Sequence, residues 1–186
     1  SLNQHVLAEG PIRGAALDRL AVGTATALSA IHQANVVHRD FKPHNVLLGP
    51  DGPRVIDFGV ARAISGGTTL TSRVIGTPSY MSPEQCLGDE LDFRSDIYSL
   101  GATLYNLVCG DTPFHADTPQ RLMMEIAHQP TPDPHEKKPG LSPQTAALIR
   151  KMMAKERDDR PGTTEEVIRD LGMIAKDDPP TSWRCV

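Results

Sequence analysis

The 186-residue chain is short of cysteine, aromatic residues and basic clusters, and each shortage argues against a class of protein. Its three cysteines, Cys86, Cys109 and Cys185, are widely spaced and include no C-x-x-C pair. This spacing argues against a zinc site and a disulfide framework, and it favours a reducing, cytoplasmic compartment. No apolar run approaches the ~18 residues of a membrane-spanning helix, so any membrane anchor would lie outside this segment.

Charge and composition further limit the classes of protein to which the chain can belong. The formal net charge is -4 and no basic stripe is present, so neither nucleic acid nor an anionic membrane is expected as a partner. Aromatic residues make up only 4% of the chain, but apolar residues as a whole reach 39%. That proportion is ordinary for a globular protein, and the length suits one compact domain with one core.

The apolar pattern predicts a largely helical chain with one small hairpin. Helices are predicted at residues 15–34, around 97–108, at 119–128, at 143–155 and at 164–175, where apolar residues recur at helical spacing. Short β-type runs lie at 36–37, 46–48 and 54–56. The last two flank the turn-rich stretch 49–53 and therefore predict a hairpin.

Two connectors and two helix starts complete this outline. Residues 60–81 are rich in Gly, Ser and Thr and predict a long loop, which is usually functional at this length. Residues 130–140 carry four prolines and predict a surface connector. Ser142 before Pro143 is a good helix start, and Thr163 with Glu166 has the spacing of a capping box.

The most informative residues are the motif H-R-D-F-K-P-H-N at 38–45 and the motif D-F-G at 57–59. Phosphoryl transfer needs a carboxylate to accept the proton of the attacking hydroxyl, a cation to neutralise the moving phosphoryl group, and oxygen ligands for a metal. Asp40, Lys42 and Asn45 supply these groups in that order, and Asp57 adds a second metal-binding carboxylate. Either motif alone is a weak signal, whereas the two together at this spacing are a strong one.

On these motifs the chain resembles the eukaryotic-like serine/threonine protein kinases, and among them the bacterial members. Lys42, two residues after Asp40, is typical of the serine/threonine branch, and the stretch G-T-P-S-Y-M-S-P-E at 76–84 resembles the substrate-facing loop of the family. The resemblance implies a mainly α fold, namely the C-terminal lobe of a protein kinase, built as a helical bundle with short β-hairpins. It places this lobe at 1–175, the activation segment at 57–84 and a tail or linker at 176–186.

The resemblance assigns roles to particular residues. It implies Asp40 as the base, Lys42 as the charge stabiliser that also contacts ATP, Asn45 and Asp57 as ligands of Mg²⁺ or Mn²⁺, and Leu47 beneath the adenine ring. It implies that Asp96 binds the backbone of the catalytic loop and that Glu84 forms a buried ion pair with Arg160. The other implied supporting residues are His38, Arg39, Phe58, Gly59 and Thr77.

Arg39 also carries a regulatory expectation. A cation beside the catalytic carboxylate is expected to bind a neutralising anion. In the family that anion is a phosphate on the long loop. The candidate acceptors of the phosphate are Thr68, Thr69, Thr71 and Ser72, with Thr69 and Thr71 ranked first by analogy.

The N-terminal β-lobe of a kinase has no counterpart in the chain. The first lysine is Lys42, so no earlier lysine can position ATP, and residues 1–12 resemble the first helix after the hinge between lobes. We therefore expect negligible catalysis by this chain alone, since positioning supplies most of the rate. We also expect Leu47 and Phe58 to be exposed at the lobe interface, where they would favour self-association.

Three functional hypotheses remain open from the sequence. The first is part of a Mg²⁺- and ATP-dependent protein kinase in bacterial signalling, which acts on serine or threonine of a protein substrate. The second is a pseudokinase-like scaffold. Every catalytic position in this lobe holds the residue type of an active kinase, which argues against this hypothesis. The third is a small-molecule phosphotransferase. Arg39, Lys42 and Arg160 argue against it, because they favour the protein-kinase branch.

Overall fold

A computed structural model describes residues 1–57 and 78–177 of the chain. These residues form eight α-helices and one two-stranded sheet. The elements are α1 (Leu2–Glu9), α2 (Gly14–Gln33), β1 (Val46–Gly49), β2 (Gly52–Val55), α3 (Pro83–Leu87), α4 (Phe93–Cys109), α5 (Pro119–His128), α6 (Pro134–Lys137), α7 (Pro143–Met152) and α8 (Thr164–Asp177). The described part is mainly helical, as the sequence predicted, and within it no helix is both long and apolar enough to cross a membrane.

The core is built around α4, in which every residue from Ser95 to Val108 is buried. A helix that is buried on all sides must be surrounded by other elements, and α2, α6 and α7 pack against it. Asp92 caps its start by accepting a hydrogen bond from the backbone of Arg94. Gly110 ends it in the left-handed conformation, at φ 79°. The predicted buried helix is therefore confirmed and extends further toward the N-terminus.

The predicted hairpin is also confirmed. β1 and β2 pair antiparallel with Val46 opposite Val55 and Gly49 opposite Gly52, so a two-residue loop joins them. Gly52 has φ 112°, which only glycine adopts at low cost. The hairpin is important for function because the chain that leaves β2 lies beside the residues that precede β1.

Two local predictions were wrong and one was incomplete. Residues 36–37 form no strand, because the backbone N–H of Val36 donates to the carbonyl of Ile31 at the end of α2. Residues 130–140 do connect α5 to α7 at the surface, but they also contain the short helix α6, which Asp133 caps through the backbone N–H of His135. Helix α7 ends at Met152 rather than at residue 155.

The two predicted helix starts differ in outcome. Ser142 accepts a hydrogen bond from the backbone of Thr145, so the cap of α7 is confirmed. At α8 only half of the capping box forms: Thr163 Oγ1 accepts from the backbone of Glu166, whereas the Glu166 carboxylate accepts from Gly162 instead. The predicted loop at 60–81 lies almost wholly outside the described residues.

A pair of glycine substitutions tests the packing around α4. A Cβ added at Gly101 would lie 2.9 Å from Met152 Cβ and 2.9 Å from Met153 Cγ. We expect Gly101→Ala to lower the free energy of unfolding by about 1–3 kcal/mol because α7 must shift. Gly172 in α8 has no atom within 4 Å of the same position, so Gly172→Ala should stabilise by up to ~1 kcal/mol. Urea denaturation of both variants checks this, and equal effects would contradict the packing.

Candidate active site

The residues of the first motif converge in the segment between α2 and β1. Lys42 Nζ lies 2.8 Å from Asp40 Oδ2. Asn45 Nδ2 donates to the Asp40 carbonyl oxygen at 2.9 Å and lies 3.3 Å from Asp40 Oδ2. A carboxylate, an ammonium group and an amide therefore share one cluster. Asp40 and Lys42 are both partly exposed, with 43% and 31% of their side chains accessible, so a substrate can reach them.

The hairpin brings Asp57 next to this cluster. The backbone N–H of Ile56 donates to the carbonyl of Asn45 at 2.9 Å, which continues the β1–β2 pairing by one step. Asp57 follows directly, with φ 56° in the left-handed region. A non-glycine residue in this region costs free energy and is held there by its surroundings.

The backbone of the catalytic loop is anchored by a buried carboxylate of α4. Asp96 Oδ2 accepts a hydrogen bond from the backbone N–H of His38 at 2.7 Å, and Asp96 Oδ1 accepts one from Arg39 at 2.9 Å. Only 1% of Asp96 is accessible. These two bonds hold the loop against the most buried helix of the fold, so the position of Asp40 is tied to the core.

Asp96 has a third partner that the sequence pattern did not predict, the ring of His32. His32 Nε2 lies 2.9 Å from Asp96 Oδ2, and the ring packs at 4.7 Å against that of Phe93. The one signal in the sequence is that His32 lies four residues after Leu28, on the apolar face of α2. A lone histidine on such a face is more often packing than function, so the pattern alone did not single it out.

His38 joins the loop to the end of the hairpin. Its Nδ1 accepts from the backbone N–H of Asp40 at 3.3 Å, and its Nε2 lies 3.1 Å from the carbonyl oxygen of Ile56. These partners require the tautomer in which Nε2 carries the proton, because a carbonyl oxygen can only accept. The edge of the ring meets Phe41 at 5.7 Å. One imidazole thus links the residue before Asp57 to the backbone of Asp40.

Glu84 and Arg160 form a buried ion pair behind the site. Two parallel hydrogen bonds of 2.7 and 2.9 Å join the guanidinium to the carboxylate. Arg160 also donates to the carbonyls of Ala154, Arg94 and Lys155, so all five of its N–H groups are used. Burial acts to raise the pKa of Glu84, but hydrogen bonds from Arg160 and Ser95 outweigh it and lower the pKa overall. Ser95 was not singled out by the sequence.

The remaining predicted residues fall into two groups. Leu47 lies on β1 and is 41% accessible, beside the equally exposed Leu48, whereas Arg39 is exposed with φ 67°. The others lie outside the described residues: Phe58, Gly59, Thr68, Thr69, Thr71, Ser72 and Thr77. Their predicted roles stay predictions.

The oxygens of Asn45 and Asp57 suit a hard divalent cation. Because Asn45 donates its amide N–H groups to Asp40, the amide is oriented and its Oδ1 remains for another ligand. No cluster of three or more His, Cys, Asp or Glu residues poised for a metal occurs in the described ranges. A cation here would need further oxygens, and Mg²⁺ commonly takes them from water and substrate phosphates. The donor set thus fits Mg²⁺ or Mn²⁺ bound together with a nucleotide.

The chain is similar in sequence to several known proteins. The family model for the protein kinase domain matches residues 1–170. The serine/threonine-protein kinase PknB of Mycobacterium leprae is 36% identical over 97% of this chain and 29% of its own length. The probable serine/threonine-protein kinase PkwA of Thermomonospora curvata is 40% identical over 86% of this chain and 23% of its own. The chain therefore spans less than a third of these curated relatives.

A solved structure supports the fold alone. The crystal structure of Rad53 1-466 in complex with AMP-PNP superposes with a TM-score of 0.74 at 24% identity. The match covers 91% of this chain and 43% of that one.

Proposed function

The chain belongs to the protein kinase family, and from this membership we propose that it forms the catalytic-loop lobe of a serine/threonine protein kinase. The proposed reaction transfers the γ-phosphoryl group of ATP to a serine or threonine hydroxyl of a protein substrate, in the cytoplasm, where ATP is available. One observation carries the proposal: Asp40, Lys42 and Asn45 share a single cluster on an anchored loop, in which Asp40 and Lys42 are partly exposed.

Each residue has a distinct task in this proposal. Asp40 orients the substrate hydroxyl and accepts its proton late in the transfer. Lys42, 2.8 Å from Asp40, faces the transferring group and offsets its negative charge. Asn45 and Asp57 would hold Mg²⁺ or Mn²⁺, which supplies charge neutralisation at the phosphates. Leu47, exposed on β1, offers an apolar surface to the adenine ring.

Regulation and domain limits belong to the same proposal. The lobe comprises residues 1–175, with the catalytic loop at 38–45, the metal loop at 57–59, the activation segment at 57–84 and a tail from 176. Phosphate on Thr68, Thr69, Thr71 or Ser72 would bind Arg39, which has no carboxylate partner among the described residues. Leu47, which is 41% accessible, would also support self-association together with Phe58.

The test is phosphoryl transfer measured in two arms. The chain alone, and the chain fused behind the N-terminal lobe of a related kinase, are incubated with Mg²⁺, ATP and a protein substrate, and intact masses are compared. We expect a gain of 80 Da or its multiples (roughly the mass of one phosphoryl group on a hydroxyl) in the fusion arm. The chain alone should react at least ~10²-fold more slowly, because residues 1–41 contain no lysine that could position ATP. EDTA should abolish the gain.

Other outcomes would replace the proposal. A folded fusion that binds ATP without transferring it would indicate a pseudokinase-like scaffold. Transfer to a small alcohol or an aminoglycoside but to no protein would indicate a small-molecule phosphotransferase.

A further inference from the structure

Arg39 is held at both of its backbone polar groups by side chains from two different helices. Its N–H donates to Asp96 of α4 at 2.9 Å, and its carbonyl oxygen accepts from Gln85 Nε2 of α3 at 2.6 Å. Arg39 has φ 67°, a conformation that costs a non-glycine residue free energy unless its surroundings impose it. Arg39, which directly precedes Asp40, is therefore held in this backbone conformation by its hydrogen bonds.

The carbonyl of Arg39 belongs to the same peptide unit as the N–H of Asp40. That N–H donates to His38 Nδ1, while the carbonyl on the other edge accepts from Gln85. A peptide unit is planar, so fixing both edges fixes the orientation of the whole plane and of the Cα of Asp40 that is attached to it. Gln85 thus acts on the direction in which the Asp40 side chain leaves the backbone.

The other end of the Gln85 amide is tied to the start of α3. Gln85 Oε1 accepts from the backbone N–H of Ser82 at 2.9 Å, and Ser82 Oγ accepts from the backbone of Gln85, which together form a capping box. The two partners determine the orientation of the amide, because a flip would turn oxygen toward the Arg39 carbonyl. The capping box uses only Oε1, so the bond from Nε2 to Arg39 is an additional connection.

We propose that Gln85 is a positioning residue that couples the start of α3 to the catalytic loop, so that the placement of the segment ending at Ser82 is transmitted to Asp40. The inference rests on the proposed function, in which that segment faces the substrate. The substrate-facing segment that ends at Ser82 and the carboxylate of Asp40 then belong to one hydrogen-bonded unit. Gln85 itself contacts no reacting group.

Two substitutions separate the bridge from the cap. Gln85→Glu keeps an acceptor for Ser82 and a favourable acidic group in the first turn of α3, but it removes the donor to Arg39. Ser82→Ala removes the capping hydroxyl but leaves both hydrogen bonds of the Gln85 side chain. The first variant therefore breaks only the connection to the loop, and the second weakens only the helix start.

The experiment is amide hydrogen exchange with ¹H–¹⁵N NMR on the whole chain. We expect Gln85→Glu to speed exchange across residues 38–45 by roughly fivefold, the value of one hydrogen bond, and to shift the Asp40 amide resonance. Ser82→Ala should lower Tm and leave exchange at 38–45 and the Asp40 resonance as in the wild type.

Unchanged exchange and an unshifted Asp40 resonance in Gln85→Glu would overturn the coupling, as would equal changes in both variants. Neither readout needs catalysis. A chain that fails the phosphoryl-transfer test but shows the expected exchange pattern would therefore disprove the function and not the coupling.

Discussion

Arg160→Met is expected to lower the free energy of unfolding by about 3–5 kcal/mol, among the largest effects of any single change in this chain. The substitution removes five hydrogen-bond donors and leaves the Glu84 carboxylate buried with Ser95 as its remaining side-chain donor. Most of this loss comes from the buried Glu84 charge that is left without a partner. The attraction within the intact ion pair only roughly offsets the free energy of removing both charges from water. Urea denaturation followed by circular dichroism measures the change.

A double-mutant cycle and a surface pair serve as controls. Adding Glu84→Gln to Arg160→Met removes the unpaired charge, so the double variant should be more stable than Arg160→Met alone. The exposed ion pair between Arg54 and Asp51 is matched in length at 2.8 Å, yet Asp51→Asn should cost less than ~1 kcal/mol. If Arg160→Met cost no more than Asp51→Asn, the buried pair would not hold the fold together.

The pH dependence gives an independent check on the same pair. The pKa of Glu84 is lowered in the folded chain from its ordinary value of 4.5, so the ionised carboxylate stabilises the fold above about that pH. This contribution is lost as pH falls from 4.5 through the lowered folded value. The stability difference between the wild type and Glu84→Gln should accordingly be constant near neutrality and shrink in acid. A difference that grows below pH 4.5 would contradict the sign.

Local signals in the sequence predicted the elements whose causes are local. α5 begins at the predicted residue because Thr118 caps it and Pro119 suits the first helical position, and the hairpin follows from glycines and a proline at its turn. The contacts between distant residues had no such signal. His32 meets Asp96 across 64 positions, and Gln85 meets Arg39 across 46, so only the folded chain brings them together.

The motif at 38–45 identified residues by type and spacing, but it could not show what fixes their geometry. The support comes from a carboxylate in the central helix α4, from an amide in α3, and from an imidazole of the motif itself that contacts Ile56, the residue after β2. α6 was missed because four prolines in eleven residues indicate a loop, whereas Pro134 at the first helical position is compatible with a short helix.

Asp40→Asn is expected to lower the rate of phosphoryl transfer by about 10²–10⁴-fold in the fusion with an N-terminal lobe, the range for loss of a general base. Asparagine keeps the size of the side chain and an oxygen that can still accept from Lys42 and Asn45. The change therefore removes the charge and proton affinity of Asp40 with little loss of structure. Rates come from substrate phosphorylation at saturating ATP, and nucleotide affinity comes from titration calorimetry.

Because Asp40 accepts a proton only as the transfer proceeds, the loss should fall on kcat, while the affinity for Mg²⁺-ATP should stay within about threefold. Asp51→Asn, which changes an exposed aspartate in the hairpin turn, is the matched control and should leave both values unaltered. Transfer by Asp40→Asn at the wild-type rate would remove Asp40 from the mechanism. A loss of nucleotide affinity equal to the loss of rate would instead make Asp40 a residue for binding, and the cluster with Lys42 and Asn45 would need a different explanation.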